Sequence, residues 1–191
     1  MKAAVLAVQG AFLEQESALH KVGVETVELR KQADLAQDFT GIVLPGGEST
    51  AQGKLLRELG MFGALRERIE GGTPVLATCA GLILLADRIA NDARTYFRTL
   101  PVTVRRNAYG RQLGSFYTEE PFRGIGRVPM TFIRAPYIES AEKEVEILAE
   151  AGGNIVAVRC RNQLAMAFHP ELGDDLRIHR LFAEMMRSYG K

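Results

Sequence analysis

The sequence predicts an α/β fold built on a mostly parallel β-sheet. In the first half of the chain, short apolar segments alternate with amphipathic ones, and this βαβα order is typical of a parallel sheet with helices on both sides. The first apolar run, residues 3–8, contains no polar side chain, as expected of a strand that is buried on both faces. Small residues follow two predicted strands, at Gly46 and Gly47 and around Cys79. We therefore expect one domain that spans residues 1–191.

The elements of the first half follow from the hydrophobic pattern and from stop signals. A helix is predicted to end before Gly23, which is a common helix stop, and a strand to end at Pro45. The predicted order is strand 3–8, helix 13–22, strand 24–29, strand 41–44, helix 50–59, helix 62–70 and strand 74–78. Residues 82–86 form either a buried helix or a buried strand.

After about residue 100, the pattern changes to strands separated by turn residues, with little room for helices. The predicted strands are 102–106, 114–119, 128–133, 145–149, 155–160 and 164–168. Because short turns join antiparallel neighbours, we expect some of these strands to be antiparallel additions to the sheet. An amphipathic helix over residues 174–189 ends the chain, and its acidic start and basic later turns suit the helix dipole.

Composition and charge argue against several classes of protein. With 24 basic and 23 acidic side chains, the net charge of +1 produces no field that would attract nucleic acid or anionic membrane. No apolar run approaches the roughly 18–20 residues that span a bilayer, and the start of the chain lacks a signal peptide's features. The two cysteines, Cys79 and Cys160, form neither a disulfide framework nor a zinc cluster, so no metal is expected. We expect a soluble, cytoplasmic protein, with Cys160 as a buried apolar residue.

Cys79 lies between small residues at the end of a predicted strand. Ala77 and Gly81, two residues before and after it, are what a nucleophile elbow requires, because the sharp strand-to-helix turn leaves no room for larger side chains. Such a turn places the sulfur at a helix N-terminus, where the dipole favours the thiolate. The alternative is that this small-residue motif occurs in a core by chance.

The sequence His169-Pro170-Glu171 can supply a base and its partner. In an extended segment, residues i and i+2 point to the same side, so His169 and Glu171 can share a face. A cysteine nucleophile needs a base, and the base needs an acceptor that holds its tautomer. The alternative for this tripeptide is an ordinary surface turn. His20 and His179, on predicted helices, are weaker candidates for the base.

Gly46 and Gly47 directly follow a predicted buried strand. Ligands bind at the carboxyl ends of strands in open α/β sheets, and backbone amides there can point into the crevice. The amides of Gly47 and Ala80 are therefore candidates for an oxyanion hole. The loop also fits a helix-starting turn with Ser49 or Thr50 as N-cap.

Three motifs in this order resemble those of class I (triad) glutamine amidotransferases: Pro-Gly-Gly-Glu-Ser-Thr at 45–50, Thr-Cys-Ala-Gly-Leu-Ile at 78–83 and His-Pro-Glu at 169–171. The chain is most similar to the family of glutaminase subunits of pyridoxal 5'-phosphate synthase, over essentially its whole length. Residues 105–112 and 132–136 are further family-like segments. Most members of the class carry Gly-x-Cys-x-Gly-x-Gln at the elbow, whereas Ala77 and Ile83 replace the first glycine and the glutamine here.

The resemblance implies a flavodoxin-like, three-layer domain that carries a catalytic triad and needs no cofactor. In this triad, Cys79 is the nucleophile, His169 the base and Glu171 the partner of the base. The implied glutamine pocket consists of Gly46, Gly47, Glu48, Arg106, Ile133 and Arg134. Free glutamine has an α-carboxylate that needs a cation, which either Arg106 or Arg134 could provide.

The implied activity is hydrolysis of L-glutamine through a Cys79 thioester. The ammonia would pass to a (β/α)8-barrel synthase subunit, within a large hetero-oligomer that makes pyridoxal 5'-phosphate (vitamin B6). A γ-glutamyl hydrolase is one alternative, which a wide substrate range and activity without a partner would favour. A non-catalytic binding module is another, but the intact set of Cys79, His169 and Glu171 argues against it. A redox-sensing cysteine is weaker still, because such a site needs no His-Pro-Glu motif.

Overall fold

The computed structural model describes residues 1–108 and 114–189. In its first half, the strands are β1 (Lys2–Leu6), β2 (Glu25–Leu29), β3 (Gly41–Leu44), β4 (Val75–Thr78) and β5 (Ala86–Ile89). The helices are α1 (Phe12–Lys21), α2 (Ser49–Glu58), α3 (Phe62–Glu70) and α4 (Ala80–Leu85). The second half contains β6 (Leu100–Arg105), β7 (Ser115–Phe122), β8 (Gly126–Ile133), β9 (Tyr137–Ala141), β10 (Glu146–Ala151), β11 (Asn154–Cys160), β12 (Gln163–Met166) and helix α5 (Arg177–Ser188).

Five neighbouring strands form the parallel centre of the sheet, in the order β2-β1-β3-β4-β12. Strands β3, β4 and β12 are buried along their whole length. Their sequences, Gly-Ile-Val-Leu, Val-Leu-Ala-Thr and Gln-Leu-Ala-Met, are mostly apolar because both faces of each strand are covered.

The helices cover both faces of this sheet. The crossover from β1 through α1 to β2 and the one from β3 through α2 and α3 to β4 run in opposite directions along the strand order. Since such crossovers are right-handed, α1 lies on one face and α2 and α3 lie on the other. Helix α5 joins α1, where the ring of His179 meets the side chain of Gln15. No helix of the described residues is long and apolar enough to cross a membrane.

The second half of the chain extends the sheet with antiparallel strands. Strands β11, β10, β7 and β8 follow β12 in that order, and β7 and β8 form a hairpin in which Ser115 pairs with Ile133. Strands β5, β6 and β9 form a branch that joins the sheet where Ile138 of β9 pairs with Ile155 of β11. The predicted α/β fold with antiparallel additions is confirmed.

The structure corrects the predicted elements at a few points. Residues 82–86, left open between helix and strand, divide between α4 and the start of β5, and neither β5 nor β9 was predicted as a strand. The last helix begins at Arg177, so the two acidic residues before it lie outside the helix. Asp175 accepts a hydrogen bond from the Arg177 amide at 3.0 Å, and its carboxylate thereby pairs with one of the first free N–H groups of the helix.

Candidate active site

The carboxyl ends of the central strands bring four loops together. Strands β1 and β3 are neighbours, and the crossovers that leave them run in opposite directions, which makes a topological switch point. The loop after β1 contacts the loop after β3, since the Ala11 amide donates to the Gly46 carbonyl at 2.9 Å. The end of β4 is bonded to the end of β12, where the Cys79 amide donates to the Met166 carbonyl at 2.8 Å. Residues that follow four different strands therefore surround one crevice.

Cys79 lies on the predicted nucleophile elbow. Its φ of 48° and ψ of −99° put a non-glycine residue in a sparsely populated region, between the end of β4 and the first residue of α4. The reason for glycine at position 81 is also visible, because a Cβ there would lie 2.1 Å from the carbonyl oxygen of Leu44 on β3. The turn holds the Cys79 side chain beside the sheet with only 7% of the residue exposed.

His169 and Glu171 form a buried pair directly after β12. The distance from His169 Nδ1 to Glu171 Oε1 is 2.7 Å, and the two residues are each 7% exposed. The expectation that an extended chain brings them together was wrong in its geometry, since residues Pro170–Leu172 form a 3₁₀ turn. Pro170 at the first position of that turn sets its own φ, and the turn brings the carboxylate back to the ring.

The surroundings of His169 favour its protonated form. Burial alone would lower the pKa of the ring, but hydrogen bonds to Cys79 and Glu171 and the charges of both groups raise the pKa to about 10. The Glu171 carboxylate accepts from Nδ1, which leaves Nε2 as the nitrogen that faces the sulfur. His169, held by Glu171, can thus take the proton of Cys79 and keep it while the thiolate reacts.

The loop after β3 is fixed close to His169. A Cβ on Gly46 would lie 2.2 Å from Cε1 of the His169 ring, so only glycine allows this approach. The Glu48 amide donates to Gln9 Oε1 at 2.8 Å, and Gln52 donates to the Pro45 carbonyl at 3.2 Å. Within the described part of the chain, the amide of Gly47 makes no hydrogen bond, so this donor is available to a ligand.

Charged side chains line the same crevice next to this loop. Arg106 lies 2.8 Å from Glu48 Oε1 and 2.9 Å from Asp92 Oδ2, and its side chain is only 15% exposed. Burial opposes the charge on Glu48, but bonds from Thr50 and the charges of Arg106 and Arg134 lower its pKa below the usual value. Arg134 is exposed and has no ion pair within the described residues, whereas the charge of Arg106 is balanced by two carboxylates.

The end of β8 brings the remaining predicted residues to the site. The His169 amide donates to the Thr131 carbonyl of β8 at 2.9 Å. Ile133 and Arg134 are the second and third residues after Thr131, so this bond brings them near His169. Ile133 is 39% exposed, unusually for a large apolar residue at a strand end, and Arg134 has a φ of 43°. All the residues predicted for the triad, the pocket and the oxyanion hole follow the carboxyl ends of the central strands or belong to segments that contact this crevice.

Sequence reasoning missed three residues that shape the site. Asp92 and Gln9 carry no motif, and only the structure shows that they hold Arg106 and the Glu48 amide. His179 was set aside as part of a charged helix, yet it is fully buried. The family-like segment 105–112 is described only as far as residue 108, so its last four residues lie outside the described structure. No group of three or more possible metal ligands occurs among the described residues.

The chain is similar in sequence to known proteins over most of its length. The SNO glutamine amidotransferase family matches residues 5–188. A protein of Desulfitobacterium hafniense named pyridoxal 5'-phosphate synthase subunit PdxT is 65% identical over 184 residues, which cover 96% of this chain and 92% of that protein. A Streptococcus pneumoniae protein of the same name is 52% identical over 190 residues, 98% of each chain.

Solved structures give the same result for the fold. A crystal structure of a glutamine amidotransferase superposes with a TM-score of 0.91 at 41% identity, covering 97% of this chain and 98% of that one. A glutamine amidotransferase from Thermotoga maritima, at 15% identity and a TM-score of 0.62 over 98% of this chain and 84% of that one, shares the fold. The elbow, the buried His–Glu pair and the match over residues 5–188 together show that the chain belongs to the SNO glutamine amidotransferase family.

Proposed function

We propose that the chain is a glutaminase that hydrolyses L-glutamine and supplies ammonia to a pyridoxal 5'-phosphate synthase. The observation that carries this proposal is the strained Cys79 elbow beside the buried His169–Glu171 pair. Relatives at 52–65% identity named as pyridoxal 5'-phosphate synthase subunits support the assignment of the acceptor. The proposal takes residues 1–191 as one class I amidotransferase domain, and a location in the cytoplasm stays a prediction.

The first half of the reaction forms a thioester. His169 takes the proton of Cys79, and the thiolate sulfur attacks the side-chain amide carbon of glutamine. The carbonyl oxygen becomes an oxyanion, which accepts hydrogen bonds from the amides of Gly47 and Ala80. Ala80 is the first residue of α4, so its N–H has no partner within the helix. When the tetrahedral intermediate collapses, the C–N bond breaks and His169 gives its proton to the departing ammonia.

The second half of the reaction releases glutamate. A water molecule gives a proton to the neutral His169 ring and attacks the thioester carbon, so a second oxyanion forms in the same hole. The C–S bond then breaks, and the imidazolium that His169 has become is balanced by the cysteine thiolate. Glu171 stays ionised throughout and stabilises the charged ring, as its 2.7 Å contact with Nδ1 allows.

The α-amino and α-carboxylate groups of glutamine select the substrate. Glu48 is the acceptor for the α-ammonium, because its pKa is lowered and it stays charged. Arg134 takes the α-carboxylate, because its guanidinium is exposed and unpaired within the described residues. Arg106 acts by holding Glu48, to which it is bonded at 2.8 Å. Ile133 and the backbone of Gly46 and Gly47 complete the pocket.

The ammonia needs an acceptor enzyme, since free ammonia would be lost to solvent. We propose that the partner is the (β/α)8-barrel synthase subunit of pyridoxal 5'-phosphate synthase. The two subunits would form a large hetero-oligomer. No cofactor is required on this chain, because thiolate, imidazole and backbone amides supply each step of the hydrolysis.

The test is ammonia release from L-glutamine, measured with and without the synthase subunit. We expect the partner to stimulate release by the wild type, and Cys79→Ala to lower it to background. Cys160→Ala is the matched control, because Cys160 is also buried, at 4% exposure, but lies on β11 outside the crevice. Its activity should equal that of the wild type.

Two outcomes would count against the proposal. If the wild type released no ammonia with the partner bound, glutaminase activity would be refuted, and γ-glutamyl conjugates would be the next substrates to assay. If Cys160→Ala were as inactive as Cys79→Ala, the loss would reflect damage to the core and would not assign the nucleophile. Trapping a glutamyl adduct on Cys79 by mass spectrometry would separate these cases.

A further inference from the structure

A chain of buried polar side chains runs from the last helix to the nucleophile elbow. His179 Nε2 donates to Gln15 Oε1 at 3.1 Å, and Gln15 Nε2 donates to Thr78 Oγ1 at 3.2 Å. All three residues are completely buried, although they come from α5, α1 and β4. The reaction described above uses none of these side chains.

The chain of hydrogen bonds ends at the loop beside the catalytic histidine. Thr78 Oγ1 also accepts from the amide of Gly46, at 3.0 Å. The carbonyl of Gly46 is held by the Ala11 amide at 2.9 Å, so both sides of this residue are fixed. The next amide along the chain is that of Gly47, the oxyanion donor of the proposed mechanism.

A merely structural core would not need these polar groups. A paired set of buried polar groups adds little net stability, because apolar residues of the same shape can often replace both partners at almost no cost. His179 Nδ1 has no hydrogen-bond partner among the residues that the structure describes, so even this hydrogen-bonded chain leaves one buried polar atom unpaired. A requirement outside the core, such as the placement of a reacting group, explains why a chain of three buried polar residues ends at the Gly46 amide.

We propose that Thr78, Gln15 and His179 are positioning residues that hold the Gly46 and Gly47 loop in place for the oxyanion. Thr78 contacts the loop directly, Gln15 orients the Thr78 hydroxyl, and His179 orients Gln15. The inference rests on the proposed role of the Gly47 amide. It assigns the three residues to the transition state, where the oxyanion exists, and not to binding of glutamine.

The sharpest test replaces Thr78 by Val, which keeps the shape but removes the acceptor. In the complex with the synthase subunit, kcat for ammonia release should fall about 10- to 100-fold, because small displacements of a catalytic donor have effects of this size. KM for glutamine should change by less than about threefold, since the substrate's end groups are held elsewhere. Thr78→Ser, which keeps the hydroxyl, should restore most of the wild-type kcat.

Thr73→Val is the matched control. Thr73 is also buried, at 4% exposure, and its hydroxyl lies 3.3 Å from that of Tyr189. Thr73 lies just before the amino end of β4, whereas Thr78 is at the carboxyl end of the same strand. Thr73→Val therefore removes a buried hydroxyl far from the crevice. Its kcat should match that of the wild type in the complex.

Alkylation of Cys79 by iodoacetamide separates loop placement from damage to the elbow. Thiolate formation depends on His169 and Glu171, so Thr78→Val should be alkylated at a rate within about twofold of the wild type. Gln15→Met provides a second variant, with a smaller loss of kcat in the same direction, if Thr78→Val does not fold.

The outcomes distinguish this inference from the proposed function. If the wild type is active but Thr78→Val matches Thr73→Val in kcat, or raises only KM, the positioning role is wrong and the glutaminase proposal stands. If alkylation slows as much as turnover, Thr78 acts by placing Cys79 and not the loop, which also overturns the inference. An inactive wild-type complex would instead refute the glutaminase proposal itself.

Discussion

The turn after β12 and helix α5 each bury one histidine, with opposite results. His169 follows β12 and faces Cys79 and Glu171, whose bonds and charges outweigh burial and raise the pKa of the ring to about 10. His179 is in α5, and its only hydrogen-bond partner among the described residues is the neutral amide of Gln15, so burial lowers the pKa of its ring to about 4. The two residues are ten positions apart and are both nearly inaccessible to solvent.

This difference shows that burial alone does not make a histidine functional. An imidazole in the core is neutral unless a negative group lies within hydrogen-bond distance of it. The pairing with Glu171 makes His169 able to hold a proton during catalysis, whereas His179 can serve only as a neutral donor in a hydrogen-bonded chain. The partner of each ring therefore decides whether the ring holds a proton in catalysis or serves as a neutral, structural hydrogen-bond donor. The following experiments test this rule.

The largest effect should come from Glu171→Gln, which removes the charge but keeps the shape beside His169. We expect kcat for glutamine to fall about 10²- to 10⁴-fold, the range seen when a general base loses its ionised partner. The pKa of His169 should fall as well, because burial is then opposed by Cys79 alone. The pH dependence of Cys79 alkylation would report this shift.

Glu184→Gln is the control for that substitution, since Glu184 is exposed on α5. It should leave both turnover and the alkylation profile unchanged. An alkylation profile of Glu171→Gln identical to that of the wild type would mean that the carboxylate does not set the protonation of His169, and the comparison of the two histidines would lose its basis.

The second effect concerns stability and His179. Its ring binds a proton near pH 6.5 in the unfolded chain but only near pH 4 in the folded protein, so the unfolded state binds more protons between these values. The free energy of unfolding must therefore fall as the pH decreases from 6.5 to 4, by about 2–3 kcal/mol in total from this group. Well above pH 6.5 the ring is neutral in both states and contributes no pH dependence.

Urea unfolding at pH 7.5, 5.5 and 4.5 would measure this effect. His179→Gln keeps a side-chain amide that can donate to Gln15 but cannot take up a proton. The difference in unfolding free energy between wild type and variant should shift in favour of the variant as the pH decreases. A difference that is constant across these pH values would show that His179 is not held neutral in the folded protein.

The sequence predicted the central sheet and the nucleophile elbow well because each rests on a local signal. Fully apolar runs mark strands covered on both faces, and small residues flanking Cys79 mark a turn that excludes larger ones. The fold and the elbow are confirmed. The roles of Cys79, His169 and Glu171 stay predictions, although the 2.7 Å contact between the last two supports them.

What the sequence did not reveal depends on contacts between distant segments. Asp92 and Arg106 are 14 positions apart, and Gln15 and His179 are 164 apart, so no pattern along the chain connects them. His179 was set aside as a candidate base because it lies among Arg177 and Arg180 in the last helix, and nothing in that pattern shows that the helix turns its ring inward. Strand β9 was missed because Tyr137–Ala141 is short and half-exposed, which gives no clear alternation.

The smallest effect should come from Asp92→Asn, which extends the rule from histidines to Arg106. Hydrogen bonds from Arg94 and then from Arg106 hold the pKa of Asp92 well below its usual range, so this carboxylate remains charged and fixes Arg106 against Glu48. Without that charge, Arg106 should hold Glu48 less firmly, and KM for glutamine should rise about 3- to 30-fold with kcat nearly unchanged.

The control for this prediction is Asp87→Asn. Asp87 also pairs with an arginine, Arg98, at 2.9 Å, but this pair is partly exposed and lies outside the crevice. Surface ion pairs of this kind contribute little, so KM should stay at the wild-type value. A loss of kcat at constant KM in Asp92→Asn would place Asp92 with the groups that act on the transition state. An unchanged KM in both variants would mean that Arg106 holds Glu48 without the Asp92 carboxylate. The rule that a charged partner sets a residue's role would then apply only to the triad.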